Sequence, residues 1–228
     1  MRKYHLVLLT SVLLLFLSAC ATPPPVSHGY LPNYDVLQSD SAYSPIYYYD
    51  PPNTQKLETH LVYLQKIKWL AESDISETSR ENIQRVFDLR LKKWIFQVLP
   101  TTVILIEDEA DMERYETEGN MGIFRIEPAI TEVRPGISIL RYIVGFGLGD
   151  AAMVVEVKAY HSSLEMNDVY QAYVYTHSPG KSWFGPNPRT FWLPYCLRSA
   201  ADLSTRVIAA HFANRIEAPQ SEWWTSVE

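Results

Sequence analysis

The chain has 228 residues, with 26 acidic against 20 basic side chains for a formal charge of −6, and 47% of it is hydrophobic. That length supports a real hydrophobic core. The acidic balance, with no basic stripe and no low-complexity tail, excludes a nucleic-acid-binding surface and argues against a broad docking face for anionic lipid headgroups.

The chain opens with Arg2 and Lys3, then an apolar run from Leu6 to Leu17 broken only by Thr10 and Ser11, then Ser18 and Ala19. Charge, apolar core and small residues in that order make a secretory signal. As a helix the run spans roughly 18 Å, against a hydrocarbon core of about 30 Å, so it is too short for a membrane anchor. Leu17-Ser18-Ala19-Cys20 closely resembles the bacterial lipobox. The resemblance implies cleavage between Ala19 and Cys20, diacylglycerol on the Cys20 sulfur, and a further acyl chain such as palmitate on the new amine. Each buried methylene contributes about 0.8 kcal/mol, so two or three chains anchor stably where one does not. Ala21, rather than Asp, follows the cysteine, which resembles outer-membrane sorting. Residues 1–19 are thus expected to be a signal peptide. Removing 19 of 228 residues leaves 209, and losing Arg2 and Lys3 leaves 18 basic against 26 acidic side chains, near −8. With Cys20 lipidated, Cys196 has no intramolecular partner and is expected to be a buried helical residue, since free Cys packs as a small hydrophobe.

Residues 20–30 carry Pro23-Pro24-Pro25 and read as a stiff polyproline tether. A globular domain is expected over 31–217, with a flexible tail over 218–228. Tyr30 to Pro52, rich in Tyr and Pro, reads as a strap lying over the domain, its prolines opposing a central strand, with a partner-binding surface as the alternative. His60 to Leu70 reads as one strand. Ser73 to Ser76 offers N-caps for an amphipathic helix over 77–98, with Ile83, Phe87, Leu91, Trp94 and Val98 at spacings of three and four. Pro100 ends it. Thr101 to Ile106 reads as a buried strand, and Asp108 to Asn120 as an acidic loop or short helical turn.

Gly122 to Glu132 alternates as a strand that Pro128 would bend or place near an edge, and 134–141 is a connection. Ala151 to His161 sets Met153, Val155, Val157 and Ala159 opposite Val154, Glu156, Lys158 and Tyr160. Val169 to Thr176 is its antiparallel hairpin partner. A Gly/Pro/aromatic loop follows over 179–194, carrying Trp183-Phe184 and Phe191-Trp192, read as closing the core below the last helix, with a docking patch as the alternative. A second helix is expected over 194–216 with Leu197, Ala201, Ser204, Ile208, Phe212 and Ile216 on one face. The fold class is therefore α/β (α+β): one mixed, largely antiparallel sheet of about five strands with two main helices on one face.

Gly145, Gly147 and Gly149 resemble a dinucleotide loop in composition alone. A strand rather than a helix follows them, so no phosphate-holding helix N-terminus exists there. A structural glycine turn is the better reading. No Gly-x-Ser-x-Gly elbow and no His-Glu-x-x-His motif occurs, and the histidines at 28, 60, 161, 177 and 211 lack metal-ligand spacing. No catalytic, cofactor-binding or metal residue is therefore assigned.

Three stretches carry a family resemblance. Arg141-Tyr-Ile-Val-Gly-Phe-Gly-Leu-Gly-Asp-Ala-Ala-Met-Val-Val-Glu-Val157 forms a glycine-rich core, Gly29-Tyr-Leu-Pro-Asn-Tyr-Asp-Val-Leu37 an opening, and Ile67-Lys-Trp69 a first core strand. With the closing Ala/Arg-rich helix, these resemble the bacterial lipoproteins of the domain of unknown function 3313 family. The acidic stretch 111–118 departs from that pattern as a local insertion. The resemblance implies a mixed α/β lipoprotein fold without established catalytic residues. The expected function is a non-catalytic, outer-membrane-anchored, periplasm-facing lipoprotein that holds an envelope protein partner, with a homo-oligomer left open. The competing classes are a subunit of a secretion or export assembly and a peptidoglycan-acting hydrolase.

Overall fold

Alternating β-branched and aromatic residues build the centre of the molecule. The computed structural model describes residues 23–39, 44–52, 56–117, 121–134, 151–165, 168–177 and 193–219. Three long strands form the middle of the sheet: β7 (Ile123–Arg134), β8 (Ala152–His161) and β9 (Tyr170–His177). The β8–β9 pair is the expected antiparallel hairpin, with Val155 opposite Val174. On the β9 side lie β2 (Ile46–Tyr49) and β1 (Gln38–Ser39), both antiparallel. On the β7 side lie β4 (Leu61–Leu64) and β5 (Lys68–Trp69), both parallel to β7, with β6 (Ile104–Ile106) parallel to β4 at the edge. Among the described residues the sheet has eight strands rather than about five. A separate parallel pair joins β3 (Leu57–Glu58) to β10 (Ile216–Glu217).

Among the described residues three helices accompany the sheet: α1 (Glu77–Val98), α2 (Glu109–Thr117) and α3 (Leu193–Ala213). Ile83, Phe87, Leu91 and Ile95 of α1, and Leu197, Ala201, Ile208 and Phe212 of α3, share one core with Met153, Val155, Val157 and Ala159 of β8. Both main helices therefore cover the same sheet face, as the α+β reading required. Ser76 is the N-cap of α1, though its Oγ bonds the Ser79 hydroxyl at 3.0 Å instead of a backbone N–H. Leu99 turns extended at the other end, as the residue before a proline must.

Several expectations are corrected. The 60–70 stretch is two strands, because α1 grips the chain between them. The Asp88 carboxylate accepts from the Ile67 N–H at 2.9 Å, and the Gln84 amide donates to the Ile67 carbonyl at 3.1 Å. That break explains Pro128, which lies in the interior of β7 rather than near an edge. Ile126 and Ile130 accept from Gln65 and Leu70 across the β4/β5 side. By alternation Pro128 turns its missing donor to the same side, into the gap between β4 and β5. The 101–106 strand shrinks to Ile104–Ile106, and Ile104 is exposed at the edge, not buried. The 108–120 stretch is a full helix over Glu109–Thr117, held by Met112 against Tyr63 and Ile106. The strap contributes strands β1 and β2, with Pro45 and Pro51 flanking β2. The last helix ends at Ala213, which frees Ile216 to pair with Leu57. Gly145, Gly147, Gly149, the aromatic loop, Ala19 and Cys20 lie outside the described residues, as does the Cys196 side chain on α3.

Candidate functional site

The sheet face away from the helices carries charge. Alternation along β8 sends Val154, Glu156 and Lys158 to this side, and β9 sends Gln171 and Tyr173 there. Glu156 is fully buried, and a buried carboxylate is tolerable only when its oxygens are bonded.

The N-terminal strap supplies most of those bonds. Tyr34 donates its hydroxyl to Glu156 Oε2 at 2.5 Å, and His28 Nδ1 sits 2.5 Å from Glu156 Oε1. Thr131 donates to the same Oε1 at 2.9 Å. The other His28 nitrogen, Nε2, lies 3.1 Å from Glu132 Oε2. Both ring nitrogens of His28 thus face carboxylate oxygens, which bridges Glu132 to Glu156 through one imidazole. Glu132 also pairs with Arg134. Burial works to raise Glu132, but the hydrogen bond and charge of Arg134, and then those of His28, outweigh it and hold the carboxyl below its ordinary value.

A β-bulge makes this possible. Register slips between Ile130 and Glu132, which face Val155 and Val154, and leaves Thr131 as the extra residue. Strict alternation would send Glu132 to the helix side. The bulge keeps Thr131 and Glu132 on the strap side and returns Val133 to the helix-covered core.

Around the acids the strap folds on itself. The Tyr34 hydroxyl also accepts from the backbone N–H groups of His28, Tyr30 and Leu31 at 3.1, 3.1 and 3.2 Å. Gly29 makes this hairpin-like wrap, with φ of +76°, a conformation costly for residues with a Cβ. Tyr30 donates to the Glu127 carbonyl at 3.0 Å, and Lys158 lies over its ring at 4.5 Å. The Asn33 N–H donates to Gln171 at 3.2 Å. Leu31 packs with Val154 and Tyr173, and His28 stacks on Tyr173 with rings 9° apart in tilt. Burial, then the nearby acids, pushes the Tyr30 phenol well above its ordinary range. Tyr173 rises to about 12, burial again the largest cause. Both phenols stay neutral at any physiological pH.

Chemically this is a seat for a strap. His28, Tyr34 and Thr131 satisfy Glu156 from within the chain. His28 was legible as part of the tether, but nothing in its spacing marks Glu132 or Glu156 as partners. The available signal was one acid inside the apolar alternation of β8. A second histidine cluster lies at the sheet end. His161 is buried, its Nε2 3.1 Å from the Glu58 carbonyl and its Nδ1 2.7 Å from the Ser163 hydroxyl. Burial, aided by His60, lowers its proton affinity although the Glu58 bond opposes that. Gly122 closes this corner, since a Cβ there would stand 2.1 Å from the Glu58 carbonyl oxygen. Among the described residues no group of three or more His, Cys, Asp or Glu is arranged to hold a metal ion, and no helix is long and apolar enough to cross a membrane.

No protein-family model matches the chain, and no curated protein sequence does. Among solved structures, it is similar to the PelC dodecamer from Paraburkholderia phytofirmans at 14% identity and a TM-score of 0.38, over 71% of this chain and 95% of that one. A point-substituted form of that dodecamer, from the same organism, gives 15% identity and a TM-score of 0.34, over 69% and 96%. A neuraminyllactose-binding hemagglutinin homologue from Helicobacter pylori gives 10% and 0.39, over 78% and 89%.

Proposed function

We propose that this chain is a lipid-anchored, non-catalytic lipoprotein of the bacterial outer membrane that holds an envelope partner, in the manner of the 3313-type lipoproteins its motifs resemble. The observation that carries the reading is the strap seat. His28 stands eight residues after the lipobox cysteine, and eight residues reach at most about 28 Å. The seat therefore converts a lipid on Cys20 into a fixed posture. The strap face stays near the anchor and the helix layer points to the other side. The arrangement that most resembles acid–base machinery, His28 between Glu132 and Glu156, is closed over by the chain's own strap, which supports a holding role over a chemical one.

The test is metabolic labelling of intact cells with a clickable fatty acid, followed by membrane fractionation and crosslinking. The full chain should carry the label and sediment with outer membranes, and Cys20→Ala should do neither. Label or outer-membrane retention in Cys20→Ala would remove the anchor reading. Turnover of purified cell wall by the full chain would replace the holding role with hydrolysis.

A further inference from the structure

The outward side of the helix layer is unlike the rest of this acidic chain. A groove of about 630 Å³ runs between α1 and α3, lined by Val86, Leu89, Arg90, Lys93, Arg198 and Asp202. Arg90 is paired with Asp202 at 3.3 Å. Lys93 and Arg198 have no ion pair among the described residues. Leu89 and Phe96 are 60% and 72% exposed. Positions 89, 93 and 96 follow each other at spacings of four and three, so they form one stripe along α1. Two apolar side chains with unpaired cations between and beside them fit an acidic helix with a small apolar contact.

The chain carries such an element. Helix α2 reads Glu109-Ala-Asp-Met-Glu-Arg-Tyr-Glu-Thr117. Met112 is buried against Tyr63 and Ile106 with Tyr115 beside it, while Glu109, Ala110 and Asp111 are exposed. Glu109 and Asp111 have no ion pair among the described residues. Nine helical residues span about 13 Å, and the Leu89–Phe96 stripe about 10 Å, so the two match in length. Lys92, one position round the helix from Lys93, is already paired with Glu107 inside the chain. The unpaired charges of the two surfaces thus have opposite sign and lie on different elements.

We infer that the acidic helix α2 of one copy docks in the basic, apolar groove between α1 and α3 of a second copy. Donor and acceptor surfaces differ, so the contact is head-to-tail and builds a ring or an open filament. This names a second copy as the partner in the holding role above. It rests on that reading only for where assembly occurs, since neither surface involves the lipid. An anionic membrane is the weaker occupant, because a chain of net charge −6 is repelled by it as a whole.

The experiment uses full chain in detergent, wild type and Cys20→Ala, by sedimentation velocity at low and high salt. Both should form the same oligomer, weakened by salt. Lys93→Glu with Arg198→Glu should weaken association roughly tenfold or more, and Glu109→Lys with Asp111→Lys should do the same. Mixing the two reversed proteins should restore assembly, because each then offers what the other needs. That restoration also shows that both are folded. A wild-type monomer at tens of micromolar overturns the inference, as does an oligomer indifferent to either reversal. Loss with the groove reversal but not with the α2 reversal assigns the groove to another acidic occupant and overturns α2 as the ligand. Assembly of the wild-type chain while its fatty-acid labelling fails overturns the anchor reading and leaves this inference standing, whereas labelling without assembly does the reverse.

Discussion

The two faces of the sheet are covered by different physics. On one, α1 and α3 bury Ile83, Phe87, Leu91, Leu197, Ile208 and Phe212 against the apolar side of β8. That attraction is non-directional and scales with area. On the other, the strap is held by a few directional bonds converging on Glu156, with Leu31, Val154 and Tyr173 the buried members of a small apolar cluster. The helix-covered face therefore carries the stability of the whole domain. The strap-covered face carries a local, separable attachment. A segment that links a lipid to a domain is well served by the second kind of bond, since it fixes position without being part of the core.

The sharpest way to break this contrast is to injure each face once. Phe87 is fully buried, and Phe87→Ala should cost about 3–5 kcal/mol and lower the melting temperature of every probe together. His28→Ala leaves Glu156 buried with one donor fewer, a loss of about 2–4 kcal/mol confined to the strap. Hydrogen exchange should then speed up for residues 28–37 while β7, β8 and β9 keep their protection. If His28→Ala instead unfolds the sheet cooperatively, the two faces are one unit and the contrast fails.

The same difference governs what was legible in the sequence. The helix-covered face is written in periodicity. The spacing of Ile83, Phe87 and Leu91 located α1 to the residue, and the alternation of Met153, Val155 and Val157 located β8. The strap-covered face is written in pairs far apart in the chain, His28 with Glu156 and Tyr34 with Glu156, and no local window contains both members. The bulge at Thr131 reverses the alternation on which any strand reading depends. Strands of two residues such as β1 and β5 span a single period of the pattern, too little to show alternation, so the sheet reads as smaller than it is. Met112, with only the half-buried Tyr115 beside it on α2, is too sparse a stripe to announce a helix.

Acid should find a third region before it reaches the strap. Burial lowers the His161 proton affinity below its ordinary 6.5, so the unfolded chain binds the proton more readily than the folded one. Stability tied to His161 is therefore full above about pH 6.5 and lost as pH falls from there towards the folded value. Glu132, held below its ordinary 4.5, adds its loss only at lower pH, as pH falls through its folded value. Melting temperature followed from pH 8 to pH 4 should show the first decline below about 6.5, and His161→Gln should flatten that segment alone. A decline that begins only below pH 5 in the wild type would remove His161 from the account.

The smallest effect tests how finely the strap is set. Gly29 holds φ of +76° with nothing within 4 Å of a Cβ placed there, so Gly29→Ala meets no steric neighbour and pays only the left-handed penalty of about 1–2 kcal/mol. Gly122→Ala meets the Glu58 carbonyl at 2.1 Å and must displace backbone at the base of the sheet. The first should loosen residues 28–34 in hydrogen exchange by roughly tenfold and leave the melting temperature within about a degree or two of wild type. The second should lower it globally. Equal global losses from the two would mean that the turn at Gly29 is part of the folding unit. The strap would then be a wall of the domain rather than a clasp laid across it.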